Sequence, residues 1–433
     1  MSSAKFRLLS VFVVAVLLLT LGSATLAQDS PVELRMVWWG SQNRHDRTIE
    51  VIEMYEAANP NIDIVYEFAN FNDYWTLVNT QAAGGDLACI MNHDYAYLAE
   101  WAERGLLQPL DPFIESGVID LSNVDDTFIA GGRVDGQLYG LSLGANSQAI
   151  ILDIDKFEEA GVELPDPQWT WADFEETARA LHDALGIYAY GSPTLGDDQI
   201  WTSLMLANGT NPFSEDNTAL GYTDDQPLID HFNMLTRLQA DGVIQPIEEM
   251  AALTEGPENS PIVTGDAAMQ YQWSNQVVAI TTAAGEGRNF RLWHLPRPEG
   301  GQPANYLKPS MFFSIPTNCE HAEEAAAFIN YFTNDLEANE VLFAERGVPI
   351  SSAVREHLSP MLDPIGQETF DFLARVGEDG SPIFPPNPPG YNDLRNNVWT
   401  PLFHDPVMYG QISVEEGVSL FRSEAEAILS QNS

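Results

Sequence analysis

Two kinds of apolar spacing take turns along this chain. Residues 33–38 (Glu-Leu-Arg-Met-Val-Trp) alternate polar and apolar, the period of a half-buried strand. Residues 46–58 place Ile49, Ile52 and Tyr55 on one side and Glu50, Glu53 and Glu56 on the other, which is a helix period. Asn59-Pro60-Asn61 stops that helix. The spacing then predicts a strand over 62–68, a helix over 73–83 closed by Gly84-Gly85, a short strand over 87–91 and a helix over 98–105. The alternation restarts with a strand over 146–153 and a short helix over 156–161. Thr170 with Asp173 makes a capping-box pattern for a helix over 171–185. Further helical periods cover 200–206, 227–241, 276–283 and 322–333, and a strand is predicted over 311–315. A proline-rich stretch (Pro382, Pro385, Pro386, Pro388, Pro389) precedes a closing helix over 414–429. Strands alternating with helices predict an α/β protein with largely parallel sheets.

Length and composition narrow this. At about 150 residues per domain, 433 residues suggest two or three domains. A hydrophobic fraction of 45% is enough for a real core. The pattern shows two α/β lobes and no floppy linker between them. Residues 1–27 carry Lys5 and Arg7, an apolar run over 8–21, and small Ala27 before Gln28, so an export signal is expected there. The apolar run falls short of the roughly 20 residues a membrane span needs. Export places Cys89 and Cys319 where disulfides persist. The sequence alone leaves one bridge and two buried thiols both open.

The charge excludes some partners. There are 19 Lys+Arg against 63 Asp+Glu, a net −44. Removing Lys5 and Arg7 with the signal gives 17 − 63 = −46. A surface this acidic repels nucleic-acid phosphates and disfavours anionic membranes and substrates. Neutral and cationic ligands stay open. Gly140-Leu141-Ser142-Leu143-Gly144 matches the G-x-S-x-G nucleophile pattern, but a strand-like segment follows where a helix is needed, so no nucleophile elbow is expected. No H-E-x-x-H, C-x-x-C or P-loop pattern occurs, and no metal or cofactor is expected.

Seven segments in order carry a family resemblance. They are Trp38-Trp39-Gly40-Ser41 with the helix ending at Ala58-Asn59-Pro60-Asn61; Gln81-Ala82-Ala83-Gly84-Gly85-Asp86 followed by Asn92-His93-Asp94; and Val134-Asp135-Gly136-Gln137-Leu138-Tyr139-Gly140. Then come Asp155-Lys156-Phe157-Glu158-Glu159-Ala160-Gly161 leading to Trp169-Thr170-Trp171; Gly265-Asp266-Ala267-Ala268-Met269 with Trp273; Ala325-Ala326-Ala327-Phe328-Ile329 through Arg346-Gly347-Val348-Pro349; and Pro389-Gly390-Tyr391-Asn392. Together the chain resembles the extracellular solute-binding proteins of carbohydrate ABC transporters, family 1, the maltose-binding-protein type. It departs from that pattern at Ser142, where the family usually has Pro, at Leu152, where it often has Tyr, and at Tyr95, where a maltose binder has Arg.

The resemblance implies a two-lobed periplasmic-binding-protein fold of type II, with a ligand cleft between lobes that close about a hinge. It implies an N-terminal lobe from 32–143 plus 296–347 and a C-terminal lobe from 144–295 plus 348–433. In that fold the strand at 311–315 runs antiparallel beside the one at 87–91, which implies a Cys89–Cys319 bridge. It also implies an exported, monomeric, non-enzymatic receptor, periplasmic or at the cell surface, that delivers a mono- or oligosaccharide to an ABC permease. A sugar site needs flat aromatic platforms and paired donors and acceptors. On that ground the candidate contacts are Trp39, Ser41, Asn72, Asp94, Tyr95, Asn146, Trp201, Trp273, Asn275 and Tyr391. Asp94 and Asn72 are equally suited to helix N-caps. The rival ligand class is a polyamine or other small solute, and a more distant rival is a glycoside hydrolase built on paired carboxylates. Lysine occurs only three times, at Lys5, Lys156 and Lys308. Such a charge balance suits salty surroundings, where screening relieves self-repulsion. The melting temperature is therefore expected to rise with added NaCl in scanning calorimetry at fixed pH. A flat or falling curve removes salt adaptation as the reason for the charge.

Overall fold

The computed structural model describes residues 31–40, 42–191, 198–253 and 259–432, without the side chains of Asn72, Asn392 and Asn432. Residues 1–27, where an export signal is expected, and Ser41 lie outside the described residues. The first sheet has the order β2-β1-β3-β13-β6. Strand β1 (Val32–Trp39) pairs in parallel with β2 (Ile62–Ala69) along its whole length and with β3 (Ile90–His93) through Met36 and Val37. The helices Gln42–Ala58 and Phe71–Gly84 supply the crossovers that parallel strands require. The small hairpin β4 (Arg133–Val134) and β5 (Gln137–Leu138) leads into β6 (Leu141–Ser142). The third strand begins at Ile90 and not at Leu87, because the Leu87 carbonyl accepts from the Asn318 side chain at 3.0 Å and not from a neighbouring strand.

The second sheet has the order β11-β8-β10-β9. Its inner strand β8 (Gln148–Asp153) is buried at every position, which explains the unbroken run Ala149-Ile150-Ile151-Leu152. β8 runs antiparallel to both β10 (Ala267–Trp273) and β11 (Phe290–Trp293), and β10 is parallel to β9 (Tyr188–Tyr190). The helix Trp171–Leu185 forms as the capping box predicts, with Thr170 and Asp173 satisfying each other's backbone N–H groups. Two helical stretches were hidden by prolines. Pro364–Glu378 starts on an Asp363 cap with proline in its first turn, and Leu394–His404 is π-helical with Pro401 inside.

The two sheets are joined by short crossing segments. β7 (Ala145–Asn146) pairs antiparallel with β12 (Lys308–Pro309), with Lys308 opposite Asn146. Ala145 also exchanges both backbone hydrogen bonds with Val348, at 2.9 and 3.1 Å. Just past β12, β13 (Phe312–Ser314) enters the first sheet antiparallel to β3. That pairing carries the chain on to Cys319, which is bonded to Cys89 with a Cα–Cα distance of 5.0 Å across a separation of 230 residues. A crosslink closing so long a loop restricts the unfolded chain strongly. The double variant Cys89→Ser/Cys319→Ser is expected to lose about 2–4 kcal/mol in urea unfolding. An unchanged unfolding midpoint would show that the bridge does not limit the unfolded state.

Candidate functional site

A cavity of about 300 Å³ lies where the two sheets meet, and three parts of the chain wall it. The first wall is the end of β3. Asp94 caps the helix Tyr95–Glu103, and one carboxylate oxygen accepts from the Ala96 N–H at 2.9 Å. Its cap role and its place on the cavity wall coexist, because a carboxylate has two oxygens. Tyr95 follows, nearly buried, and its hydroxyl donates to the Phe384 carbonyl. Burial pushes the Tyr95 phenol far above its usual value, so it stays a neutral donor.

The second wall is the crossing segment. Tyr306 precedes β12, takes a hydrogen bond from Gln148 Nε2 at 3.3 Å and meets the Phe384 ring edge-on at 5.1 Å. Lys308 reaches over Trp273, with its ammonium 5.7 Å from the ring centroid. The third wall belongs to the second lobe. Trp273 ends β10 and donates its indole N–H to Gln199 Oε1 at 2.7 Å, which fixes the ring plane. Gln199 sits in the first turn of the helix Asp198–Ala207. Beside it, the buried Asp198 carboxylate accepts from the Tyr391 hydroxyl and pairs with Arg395 Nε at 3.3 Å. Among the described residues, the charged groups on the lining are thus Asp94 and Asp198 against Lys308 and Arg395.

The sequence candidates divide. Asp94, Tyr95, Trp273 and Tyr391 line the cavity together. Trp201 does not: it is fully buried, stacked on Trp399 at 5.4 Å, edge-on to Phe421, with its N–H on the Tyr222 hydroxyl at 3.0 Å. The physical reason is helix phase. Asp198 and Thr202 share the face toward the cavity, and Trp201 points about a quarter turn away into the core. Trp39 is 7% exposed and packed among Phe71, Tyr74 and Trp75, so it floors an aromatic cluster and is not on the cavity lining. Asn146 sits on the crossing strand opposite Lys308, with its side-chain oxygen buried and without a hydrogen bond among the described residues. Asn275 lies exposed in the turn Ser274–Gln276, away from the lining. Asn72 lies in the helix Phe71–Gly84, which Asn70 caps by accepting from Asp73 N at 3.0 Å; its own side chain and Ser41 are outside the described residues. Ser142, from the G-x-S-x-G match, is buried in a strand and donates to the Gly144 carbonyl at 2.8 Å.

Sequence reasoning missed Asp198, Gln199, Tyr306, Phe384 and Lys308. The first two were missed because the observed helix starts two residues before the predicted 200–206, which brings Asp198 and Gln199 into its first turn. A larger cavity of about 500 Å³ lies between the helices Trp171–Leu185 and Gln226–Ala240, but no first-sheet residue lines it.

A family model described as bacterial extracellular solute-binding protein matches residues 50–359. A multiple sugar-binding protein of Streptococcus mutans is 22% identical over 372 residues, 82% of this chain and 84% of that protein. A putative binding protein of Brucella abortus is 26% identical over 174 residues, so the match spans 41% of that relative's length. An extracellular solute-binding protein of family 1 from Alicyclobacillus acidocaldarius superposes with a TM-score of 0.83 at 27% identity, covering 93% of this chain and 100% of that one. A periplasmic oligogalacturonide binding protein from Yersinia enterocolitica shares the fold, with a TM-score of 0.75 at 21% identity over 93% of this chain and 100% of that one.

The placement of Trp201 is open to direct test. Trp201→Ala is expected to cost about 3–5 kcal/mol in urea unfolding. Trp201→Phe keeps an aromatic core and is expected to leave ligand affinity unchanged in calorimetry. Lost affinity with intact stability would return the ring to the ligand surface.

Proposed function

This chain belongs to the bacterial extracellular solute-binding proteins, and from that premise we propose that it captures a carbohydrate in the cavity between its sheets and passes it to an ABC permease. The observation that carries the reading is the make-up of the cavity. Trp273, Tyr306 and Tyr391 offer aromatic surface, and Asp94, Gln199 and Lys308 offer donors and acceptors around it. A sugar presents apolar C–H faces and a rim of hydroxyls, and it needs both kinds of contact at once. Charge-assisted bonds from a carboxylate or an ammonium to hydroxyls are the strong ones. Neighbours whose names state a sugar ligand support the same class.

The lobes of such a receptor close on a ligand that touches both, which is a shift of population toward the closed state. Asp94 and Tyr95 come from the first sheet, and Trp273 and Tyr391 from the other side, so the ligand bridges them. A micromolar site corresponds to about −8 kcal/mol, which a few stacked rings and several hydroxyl bonds supply. Binding without cleavage is the reading we favour, because the chain belongs to a family of solute-binding proteins and its Asp198 carboxylate is engaged by Tyr391 and Arg395. Export from the cell before the receptor acts, and action as a monomer, belong to the same proposal. A polyamine is the weaker alternative, since the described lining carries as many cations as carboxylates and not the acidic excess a polycation needs.

Melting-temperature shifts against a panel of mono- and oligosaccharides, polyamines and glycerol phosphates identify the ligand. With the best saccharide, Trp273→Ala or Asp94→Ala is expected to weaken binding by about tenfold or more in calorimetry, the loss of one strong polar or stacking contact. Unchanged affinity in both variants would move the site elsewhere.

A further inference from the structure

Lys308 stands out in this molecule for what it lacks. Of the two lysines outside the signal segment, Lys156 is paired with Glu159 at 3.0 Å. Every described arginine except Arg291 has an ion pair or a hydrogen bond to a carboxylate, a carbonyl or a side chain. Arg291 lies on the exposed edge strand β11. Lys308 is half-buried on the wall of the cleft, and among the described residues its ammonium meets only the face of Trp273, at 5.7 Å. With 63 acidic residues in the chain, leaving this cation without a carboxylate partner is not a matter of supply. Lys308 is also fixed in place. It sits on the crossing strand, backbone-paired to Asn146, with Pro309 after it.

We propose that this vacancy is filled by the ligand, and that the cleft takes a sugar bearing a carboxylate, a uronic-acid unit or another sugar acid, with the carboxylate on Lys308 and the ring face near Trp273. The proposal rests on the carbohydrate reading and narrows it. The single ammonium matches a monoanion. Asp94 and Asp198 on the same lining oppose a dianionic phosphate, which would need more positive charge around it. The net charge of the chain does not forbid this. Screening confines the field of the surface acids to about 8 Å at physiological salt, whereas a contact pair in a partly enclosed cleft is screened much less. The remaining lining suits the rest of such a ligand: Asp94 has an oxygen left for a hydroxyl, and Trp273 offers a ring face.

The test is calorimetry of the mature protein with matched pairs: glucose and glucuronate, galactose and galacturonate, mannose and mannuronate, their dimers, N-acetylneuraminate, and the corresponding sugar phosphates. The sugar acid of one pair is expected to bind about tenfold or more tightly than its neutral partner, the range of a charged hydrogen bond. Lys308→Met is expected to abolish that preference, so that the sugar acid binds no more tightly than its neutral partner, and Lys308→Arg is expected to restore most of it. Three results overturn the proposal. A neutral sugar that binds as tightly as its acid leaves the carbohydrate reading standing and removes this one. A preference for sugar phosphates does the same. If no saccharide of any kind binds, the carbohydrate reading falls and this inference falls with it.

Discussion

The structure depends on a short stretch of backbone where three chain segments pass between two sheets. β7 is paired with β12 on one side and with Val348 on the other: Ala145 exchanges both its backbone bonds with Val348, and the Gly144 carbonyl before it accepts from the Ser310 N–H. Such close passage sets limits on side chains. A Cβ on Gly144 would lie 2.5 Å from the Arg346 carbonyl oxygen, and Gly347 adopts φ +98°, a left-handed conformation that other residues avoid. These two glycines let the segments approach closely enough to share hydrogen bonds. One wall of the cleft is hung from this junction. Tyr306 and Lys308 sit on one crossing segment, β8 leaves from another toward the second sheet, and β13 carries the first away into the other.

From that junction the chemistry of the cleft follows. The ends of β3 and β10 point at the same space, so Asp94 and Trp273 face it from opposite sides. Three polar side chains on the wall are held by neighbours: Asp94 by the Ala96 N–H, Trp273 by Gln199, Asp198 by Tyr391 and Arg395. A site held in this way loses little side-chain freedom when a ligand arrives, and more of the contact energy is then retained as affinity. The segment around Phe384 adds a link from the other direction. Tyr95 donates to its carbonyl, Tyr306 packs on its ring, and Ser381 is anchored to Asn305 and Pro303.

Much of the fold was legible because its signals are local. The capping box at Thr170 and Asp173 and the alternation of β1 each report a single element that formed where the spacing placed it, and the apolar run predicted over 146–153 formed β8 from Gln148, with Asn146 going to the crossing strand β7. The π-helical stretch Leu394–His404 was not legible, since Pro401 disguises a helix whose hydrogen bonds skip one residue further than usual. The site was legible in part. Residues at strand ends, Asp94 and Trp273, are placed by the rule that open sheets bind ligands at their carboxyl edges. Trp201 was misplaced because an aromatic residue looks the same in a core and in a cleft, and only helix phase and tertiary packing tell them apart. Lys308 was hidden for the opposite reason: a rare residue on a two-residue strand has no periodicity to announce it.

The acidic composition now has a location. Among the described residues, the cleft lining sets Asp94 and Asp198 against Lys308 and Arg395, so the excess of described carboxylates lies elsewhere on the molecule. Net charge of that kind governs solubility and non-specific association more than recognition. In the proposed function, recognition instead depends on a ligand reaching residues of both lobes at once. Hydrogen–deuterium exchange with and without a saturating saccharide tests this most directly. The account predicts slower exchange in both the Tyr95–Glu103 helix and the segments ending at Trp273 and Tyr391. Protection confined to one lobe, or located at the cavity between the helices Trp171–Leu185 and Gln226–Ala240, would contradict it.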